Sequence, residues 1–473
     1  MTVTFQSGRA TATSRPHSTL WWVLGITLAG LVFDGYDLVV YGAVMPEFRK
    51  PGGLIHSALS AESQAALTAS AGVEPGALTP AMQSAIGEAA SLGGVLGSCA
   101  LFGVLVGALL VGAVGDRVGR RRPMLVSIAW LSIGMALTAL STSAVMFGTL
   151  RFVTGLGIGA LVATTAAVVS EFAPRGRKNV ANAVVYSGVP LGSTLSALAA
   201  ILLLEPLGWR GLFLLGALPL ITLLPVAWFK LPESPVWLES RSRRDLSGAV
   251  GSLIAEERVG FAGLIGRRFL LPTILLGMLS ATGLLLVYSL NTWLPQLTGP
   301  LLGSRASLAL LLALNLGAVV GGLFGSTLAD RWGARPVIAG FFTVGGLGIL
   351  LVTATHSPDL IGLLLVVIGV VGMGTSGTQT LIYGFVANYY PTSMRAAAVA
   401  WCAGFGRLGG VAGPIVGGML AAAFPTDPTP VFWVLAGVCG VGVVICLATP
   451  ARPPCVAPPE TAGRAPGDGG LGL

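Results

Sequence analysis

Long apolar stretches, separated by short polar segments, cover most of this chain. A helix needs about 20 mostly apolar residues to cross a membrane. Six such stretches lie near residues 20–44, 92–114, 123–141, 145–170, 179–203 and 209–230. Six more lie near residues 269–293, 305–328, 336–354, 360–387, 396–423 and 430–449. The pattern predicts an all-α integral membrane protein with twelve spans.

The composition agrees with this prediction. Only 10% of the 473 residues are charged, against roughly 25% in an ordinary soluble domain. The 68 glycines fit closely packed membrane helices, because small residues let helix backbones approach each other. The five cysteines are scattered singly along the chain, so we expect neither a disulfide framework nor a metal site.

The chain has a net charge of +8, and the positions of its Lys and Arg residues fit the expected membrane topology. If the N-terminus is cytoplasmic, the Lys and Arg residues of the loops fall on the cytoplasmic side, except for Arg49, Lys50, Arg210 and Arg305. This asymmetry obeys the positive-inside rule. We therefore expect a multi-pass protein of the inner (plasma) membrane, with both termini cytoplasmic and no nucleic-acid partner.

Two loop motifs repeat about 215 residues apart. GAVGDRVGRRRP at 112–123 returns as STLADRWGARP at 326–336, and SEFAPRGRK at 170–178 returns as ANYYPTSMR at 387–395. Parallel repeats of six spans, with substrate held near the midplane between the halves, are typical of one large class of transporters. The repeat therefore predicts two pseudo-symmetric six-helix bundles.

This organisation divides the chain into five parts. They are a cytoplasmic N-terminal tail (1–19), a first bundle (20–230), a cytoplasmic linker (231–268), a second bundle (269–449) and a cytoplasmic C-terminal tail (450–473). The first bundle carries a long external loop at about 47–80. There Thr79-Pro80 reads as a helix N-cap followed by a first-turn proline, so the second helix is expected to begin at this point.

Ionisable side chains are rare within the predicted spans, where each costs about 2.5–3.5 kcal/mol on insertion scales. They are Asp34, Asp37, Arg151, Glu171 and Arg407. Asp34 and Asp37 lie one turn apart on the first helix, and like-charge repulsion disfavours ionising both, so one is expected to carry a proton.

Arg151 keeps its charge and needs a carboxylate partner, for which the first helix offers the nearest candidates. We assign proton coupling to Asp34, Asp37, Arg151 and Glu171. The alternative for these residues is a cap or a permanent structural pair.

Arg407 lies near the predicted midplane, in WCAGFGRLGG at 401–410. A guanidinium there could bind a carboxylate bidentately while aromatic rings hold an apolar ring. The alternative is that the aromatic residues only pack and that Arg407 pairs with a helix end. We assign substrate binding to Arg407, Tyr383, Trp401, Phe405, Gln379, Asn291 and Tyr36.

The repeated loop motif predicts a cytoplasmic latch, in which Asp116 meets a helix-start dipole and Arg117 meets a carboxylate. The latch would break as the two halves rock. The candidate gating residues are Gly112, Asp116, Arg117, Gly119, Arg121, Asp330, Arg331 and Arg395.

Several segments resemble a known family. The loop at 112–122, RFVTGLGIGA at 151–160 and LPESPVWL at 231–238 are similar to the major facilitator superfamily. DGYDLVVYG at 34–42 and the segment 390–414 resemble its aromatic acid:proton symporter family. The resemblance implies the twelve-helix major facilitator fold, import of benzoate-, hydroxybenzoate- or protocatechuate-type acids, and roles for the aspartates and arginines named above.

The expected function is therefore alternating-access symport of a small aromatic carboxylate with protons, by a monomer in a lipid bilayer. The proton gradient supplies the driving force, and no cofactor is expected. Alternatives are an exporter of an aromatic or antibiotic-like acid, or a sugar, polyol or other organic-ion porter. A non-transporting receptor would not need latch motifs in both halves. An enzyme is not expected, since the chain lacks a nucleophile elbow, a zinc signature and a phosphate loop.

Overall fold

The computed structural model describes residues 17–73, 75–173, 181, 184–234, 237–238, 260–354 and 360–450. These residues form helices and connecting turns, and no strand occurs among them. The predicted all-α class is confirmed.

The helices of the first half follow the predicted spans with one insertion in the long loop. They are α1 (His17–Arg49), α2 (Ala61–Ala69), α3 (Pro80–Val118), α4 (Arg121–Ala139), α5 (Ala144–Phe172), α6 (Gly188–Leu215) and α7 (Leu223–Lys230). A short helix, α8 (Gly260–Ile265), precedes the second half.

The second half repeats the pattern. It contains α9 (Leu270–Leu302), α10 (Ser304–Trp332), α11 (Ala334–Ala354), α12 (Ile361–Gly372), α13 (Thr378–Tyr389), α14 (Thr392–Ala423) and α15 (Thr429–Ala448). A π-helical turn, Met373–Gly377, joins α12 to α13 within one apolar span.

Eleven helices in the described part of the chain are long and apolar enough to cross a membrane. The predicted sixth span, 209–230, is divided between the end of α6 and α7 by a 3₁₀ turn, Leu218–Leu220. Just before this span, α6 bends at Gly208 (φ 65°). A positive φ of this size is readily adopted only by glycine. Gly208 thus reverses the chain between the fifth and sixth predicted spans.

The start of α3 follows from its sequence. The Thr79 side chain accepts a hydrogen bond from the Met82 backbone N–H at 3.4 Å, and Pro80 occupies the first turn. The predicted start at Thr79-Pro80 is confirmed, so α3 begins well before the apolar run at residue 92.

The two halves contact each other at one end of the bundle. We call this the loop end, because it carries residues 50–79, and we call the opposite end the linker end. At the loop end α3 packs on α14, α6 on α10 and α1 on α9. Ser98 Oγ donates to the Val411 carbonyl at 2.7 Å, and Arg305 pairs with Glu205 at 2.7 Å.

At the linker end, Glu233 ties the segment after α7 to the turn between α3 and α4. Its Oε1 accepts from the backbone N–H groups of Arg120 at 2.7 Å and Arg121 at 3.1 Å. Gly119 (φ 94°) brings the turn against this carboxylate. An anion at the start of α4 is stabilised by the helix dipole and by the free N–H groups there.

Replacing Glu233 with Ala is expected to lower the melting temperature in detergent by a few degrees, since loss of an N-terminal cap costs about 1–2 kcal/mol. Glu205→Gln is the matched control, because its pair with Arg305 is more than 70% exposed on both sides and such pairs contribute little. Equal melting temperatures for Glu233→Ala and wild type would contradict the capping role.

Candidate functional site

The Asp37 and Arg151 side chains form a buried ion pair between α1 and α5. Asp37 is 0% and Arg151 1% exposed, and Arg151 Nη1 donates to Asp37 Oδ1. Arg151 Nη2 also donates to the Asp37 carbonyl at 3.3 Å, and the guanidinium lies 5.7 Å from the centre of the Phe213 ring. The arginine therefore fastens α5 to both the side chain and the backbone of α1.

Removing one partner of this pair is expected to be strongly destabilising. Arg151→Ala leaves a buried carboxylate unpaired, which costs about 3–5 kcal/mol. We expect a reduced monodisperse fraction in size-exclusion chromatography and a lower melting temperature. The double variant Asp37→Asn/Arg151→Gln removes both charges and should recover much of the loss. A double variant as unstable as Arg151→Ala would argue against charge pairing as the cause.

Arg407 lies among polar aromatic side chains contributed by both halves. Its Nη1 donates to the Tyr288 hydroxyl at 3.0 Å. It also interacts electrostatically with Tyr186, Tyr383 and Asp34. The Arg407 side chain is partly exposed. We call these five residues the Arg407 site.

Asp34 lies within electrostatic range of Arg407 but forms no salt bridge to it. The carboxylate is 1% exposed, and its Oδ1 has no hydrogen-bond partner in the described part of the chain. Its strongest favourable electrostatic partner is Arg407, and Asp37 is the nearby like charge. The first half thus presents a carboxylate to the second half's arginine.

Three further predicted site residues of the second half pack against α9. Gln379 Nε2 donates to Ser280 Oγ at 3.0 Å, and its Oε1 is buried without a partner among the described residues. Trp401 and Phe405 stack with ring centres 5.2 Å apart, and the Trp401 indole donates to the Thr273 carbonyl at 2.9 Å. Both rings are partly exposed.

Three predicted site residues make their contacts elsewhere. Tyr36 donates to the Leu212 carbonyl at 2.8 Å, within the first half. Asn291 is 3% exposed and accepts from Asn315 Nδ2 at 2.9 Å, bridging α9 and α10. Glu171 pairs with Arg120 at 3.1 Å, twenty residues and roughly 30 Å along α5 from Arg151.

The candidate gating residues lie at the linker end. Gly119 and Arg121 belong to the turn held by Glu233. Asp330 and Arg331 are exposed, and Arg395 is partly buried. The side chains of Gly112, Asp116 and Arg117 lie outside the described part of the chain.

Tyr186 and Tyr288 were not among the predicted site residues. The signal for them was available, because only 7 tyrosines occur in the chain and a hydroxyl within an apolar span needs a partner.

Comparisons with known proteins agree with this architecture. The family model of the Major Facilitator Superfamily matches residues 64–315 and 300–466. The crystal structure of a D-xylose–proton symporter superposes with a TM-score of 0.68 at 18% identity, covering 91% of this chain and 97% of that one. The predicted twelve-helix major facilitator fold is confirmed.

Similar proteins of known name indicate which family within the superfamily the chain belongs to. A gentisate transporter from Corynebacterium glutamicum is 33% identical over 83% of this chain and 79% of its own length. A benzoate transport protein from Acinetobacter baylyi is 27% identical over 85% of this chain and 83% of its own length. Both are transporters rather than enzymes, as expected for this chain. The chain therefore belongs to the Major Facilitator Superfamily and, within it, to the aromatic acid transporter family.

Proposed function

We propose that this protein imports a small aromatic carboxylate together with a proton across the inner membrane. The observation that carries the proposal is the Arg407 site, in which one partly exposed guanidinium donates to Tyr288 and lies within electrostatic range of Tyr186, Tyr383 and Asp34. The names of the gentisate and benzoate relatives support the substrate class.

The chemistry of the site suits an aromatic acid. A guanidinium binds a carboxylate through two parallel hydrogen bonds, and aromatic rings prefer offset or edge-to-face contacts with other rings. The unpartnered Gln379 Oε1 is an acceptor for a ring hydroxyl. The stacked pair of Trp401 and Phe405 supplies further apolar surface on α14.

Proton transport is coupled to substrate transport if Asp34 and the substrate anion compete for Arg407. An ionised Asp34 holds the guanidinium, whereas a protonated Asp34 leaves it free for the substrate carboxylate. Loss of the proton on the cytoplasmic side returns Arg407 to Asp34 and releases the acid. One proton then accompanies one carboxylate.

Direction and orientation are part of the same proposal. If the basic loops are cytoplasmic, the loop end is external, and the contacts of Ser98 with Val411 and of Arg305 with Glu205 close the site to the outside. The halves would rock between this arrangement and an outward-open one. We propose a monomer with both termini cytoplasmic, driven by the proton gradient without a cofactor.

Transport into proteoliposomes containing an internal pH dye tests the proposal. Benzoate, hydroxybenzoates, gentisate, protocatechuate, xylose and an organic cation are added in turn, and protein-free vesicles correct for passive permeation of neutral acids. We expect protein-dependent acidification with one or more aromatic acids and none with xylose or the cation. Silence for every acid would overturn the proposed substrate class.

A further inference from the structure

A cleft lies at the loop end, between α1, α6, α9 and α10. Its volume is about 260 Å³, slightly below the range of roughly 300–1,000 Å³ typical of small-molecule sites. Arg49 lines this cleft. It lies fifteen residues along α1 from Asp34, or about 22 Å, so the cleft is separate from the Arg407 site.

Arg49 brings an uncompensated positive charge to the cleft. Its Nη1 donates to Gln296 Oε1 at 3.4 Å, and no carboxylate of the described residues forms a salt bridge with it. Glu47 also lines the cleft, but its Oε1 lies 2.5 Å from Lys50 Nζ. Arg49 is partly buried, and a guanidinium partly withdrawn from water without an anionic partner favours an anion beside it.

Gln296 supplies a second donor to the same cleft. An arginine can only donate hydrogen bonds, so the amide oxygen of Gln296 must face Arg49. The amide nitrogen is then left over, and Gln296 Nε2 is buried without an acceptor in the described part of the chain. Gln296 is only 7% exposed and lines the cleft, so this unused donor belongs to a buried site.

The remaining walls are largely apolar. Pro295, Pro300, Leu204 and Leu308 line the cleft beside the two donors. One charged donor, one neutral donor and an apolar wall are complementary to a carboxylate attached to an apolar ring. Arg305 and Glu205 neutralise each other on the exposed surface, so this pair adds no net charge near the cleft.

We propose that this cleft is a second, weaker binding site for an aromatic carboxylate, held by Arg49 and Gln296 at the loop end. The inference rests on the proposed function, since it takes the same class of ligand as the Arg407 site. The anion would be captured here and would lie on the path between the loop end and Arg407.

Saturation-transfer NMR on purified protein in detergent, with benzoate as probe and neutral benzamide as competitor, tests this site in the Arg407→Ala background. We expect Arg407→Ala protein to retain saturable benzoate binding, about 100-fold or more weaker than wild type, that benzamide does not displace. Adding Arg49→Gln should remove it. Adding Arg267→Gln, which deletes an exposed charge at the linker end, should leave it unchanged.

The outcomes separate this inference from the proposed function. Folded Arg407→Ala protein without saturable benzoate binding, or residual binding that survives Arg49→Gln, would overturn the second site and leave the Arg407 site standing. A wild-type protein that binds neither benzoate nor gentisate would overturn the proposed substrate class, and the second site with it.

Discussion

Arg407→Ala is expected to lower the affinity for benzoate or gentisate by at least about 100-fold, roughly 3 kcal/mol. The variant removes the charged group of the Arg407 site and leaves Tyr288 without its donor at 3.0 Å. A ligand carboxylate would then enter a largely buried site with no cation to meet it. Equilibrium binding to purified protein, with folding checked by size-exclusion chromatography, measures the effect.

Two further variants sharpen this test. Arg407→Lys keeps the charge but loses the planar pair of donors, so its affinity should fall between those of wild type and Arg407→Ala. Arg267→Ala removes an exposed arginine at the base of α9 and should bind like wild type. Benzoate binding by Arg407→Ala at wild-type affinity would show that the carboxylate is held elsewhere.

Asp34→Asn is expected to separate binding from proton movement. Asparagine resembles the protonated aspartate and cannot hold the guanidinium as an anion, so Arg407 stays available to the substrate. The coupling between proton and anion binding, typically worth roughly 5- to 150-fold in affinity, should disappear. We expect benzoate affinity that no longer weakens as the pH rises, and loss of protein-dependent acidification in proteoliposomes with exchange of labelled benzoate retained.

Glu62→Gln is the control for Asp34→Asn, because Glu62 is an exposed carboxylate on α2. This variant should bind benzoate and couple its transport to protons as the wild type does. If Asp34→Asn still accumulates benzoate against a gradient driven by protons, another group carries the proton. If it instead loses binding and folding together, Asp34 has a structural role.

The fold could be predicted because each membrane-spanning helix requires a long run of apolar residues, which is visible in the sequence. The two repeated loop motifs also made the division into two six-helix halves predictable. The sixth span shows the limit of this approach, since residues 211–229 carry no charge, yet a 3₁₀ turn divides them into the end of α6 and the separate helix α7. Apolar length alone does not reveal where a helix will be broken.

The site could be predicted only in part, for a related reason. Asp34 and Arg407 stand out because charge is rare in an apolar span. Tyr36 and Asn291 look equally suitable in sequence, but the rotation of each helix sends them to Leu212 and Asn315 instead. That rotation is set by packing against neighbouring helices, which the local sequence does not encode.

The π-helical turn Met373–Gly377 has a consequence for how the tenth span is to be compared with its relatives. A wider turn holds one residue more than an α-turn, and each residue of an α-helix advances the side-chain direction by about 100°. Gln379 and Tyr383, which follow it, therefore point about 100° away from where an uninterrupted α-helix from Ile361 would direct them. A relative of equal length whose helix continues here without the wider turn would therefore direct different side chains toward its ligand, although the two sequences would align without a gap.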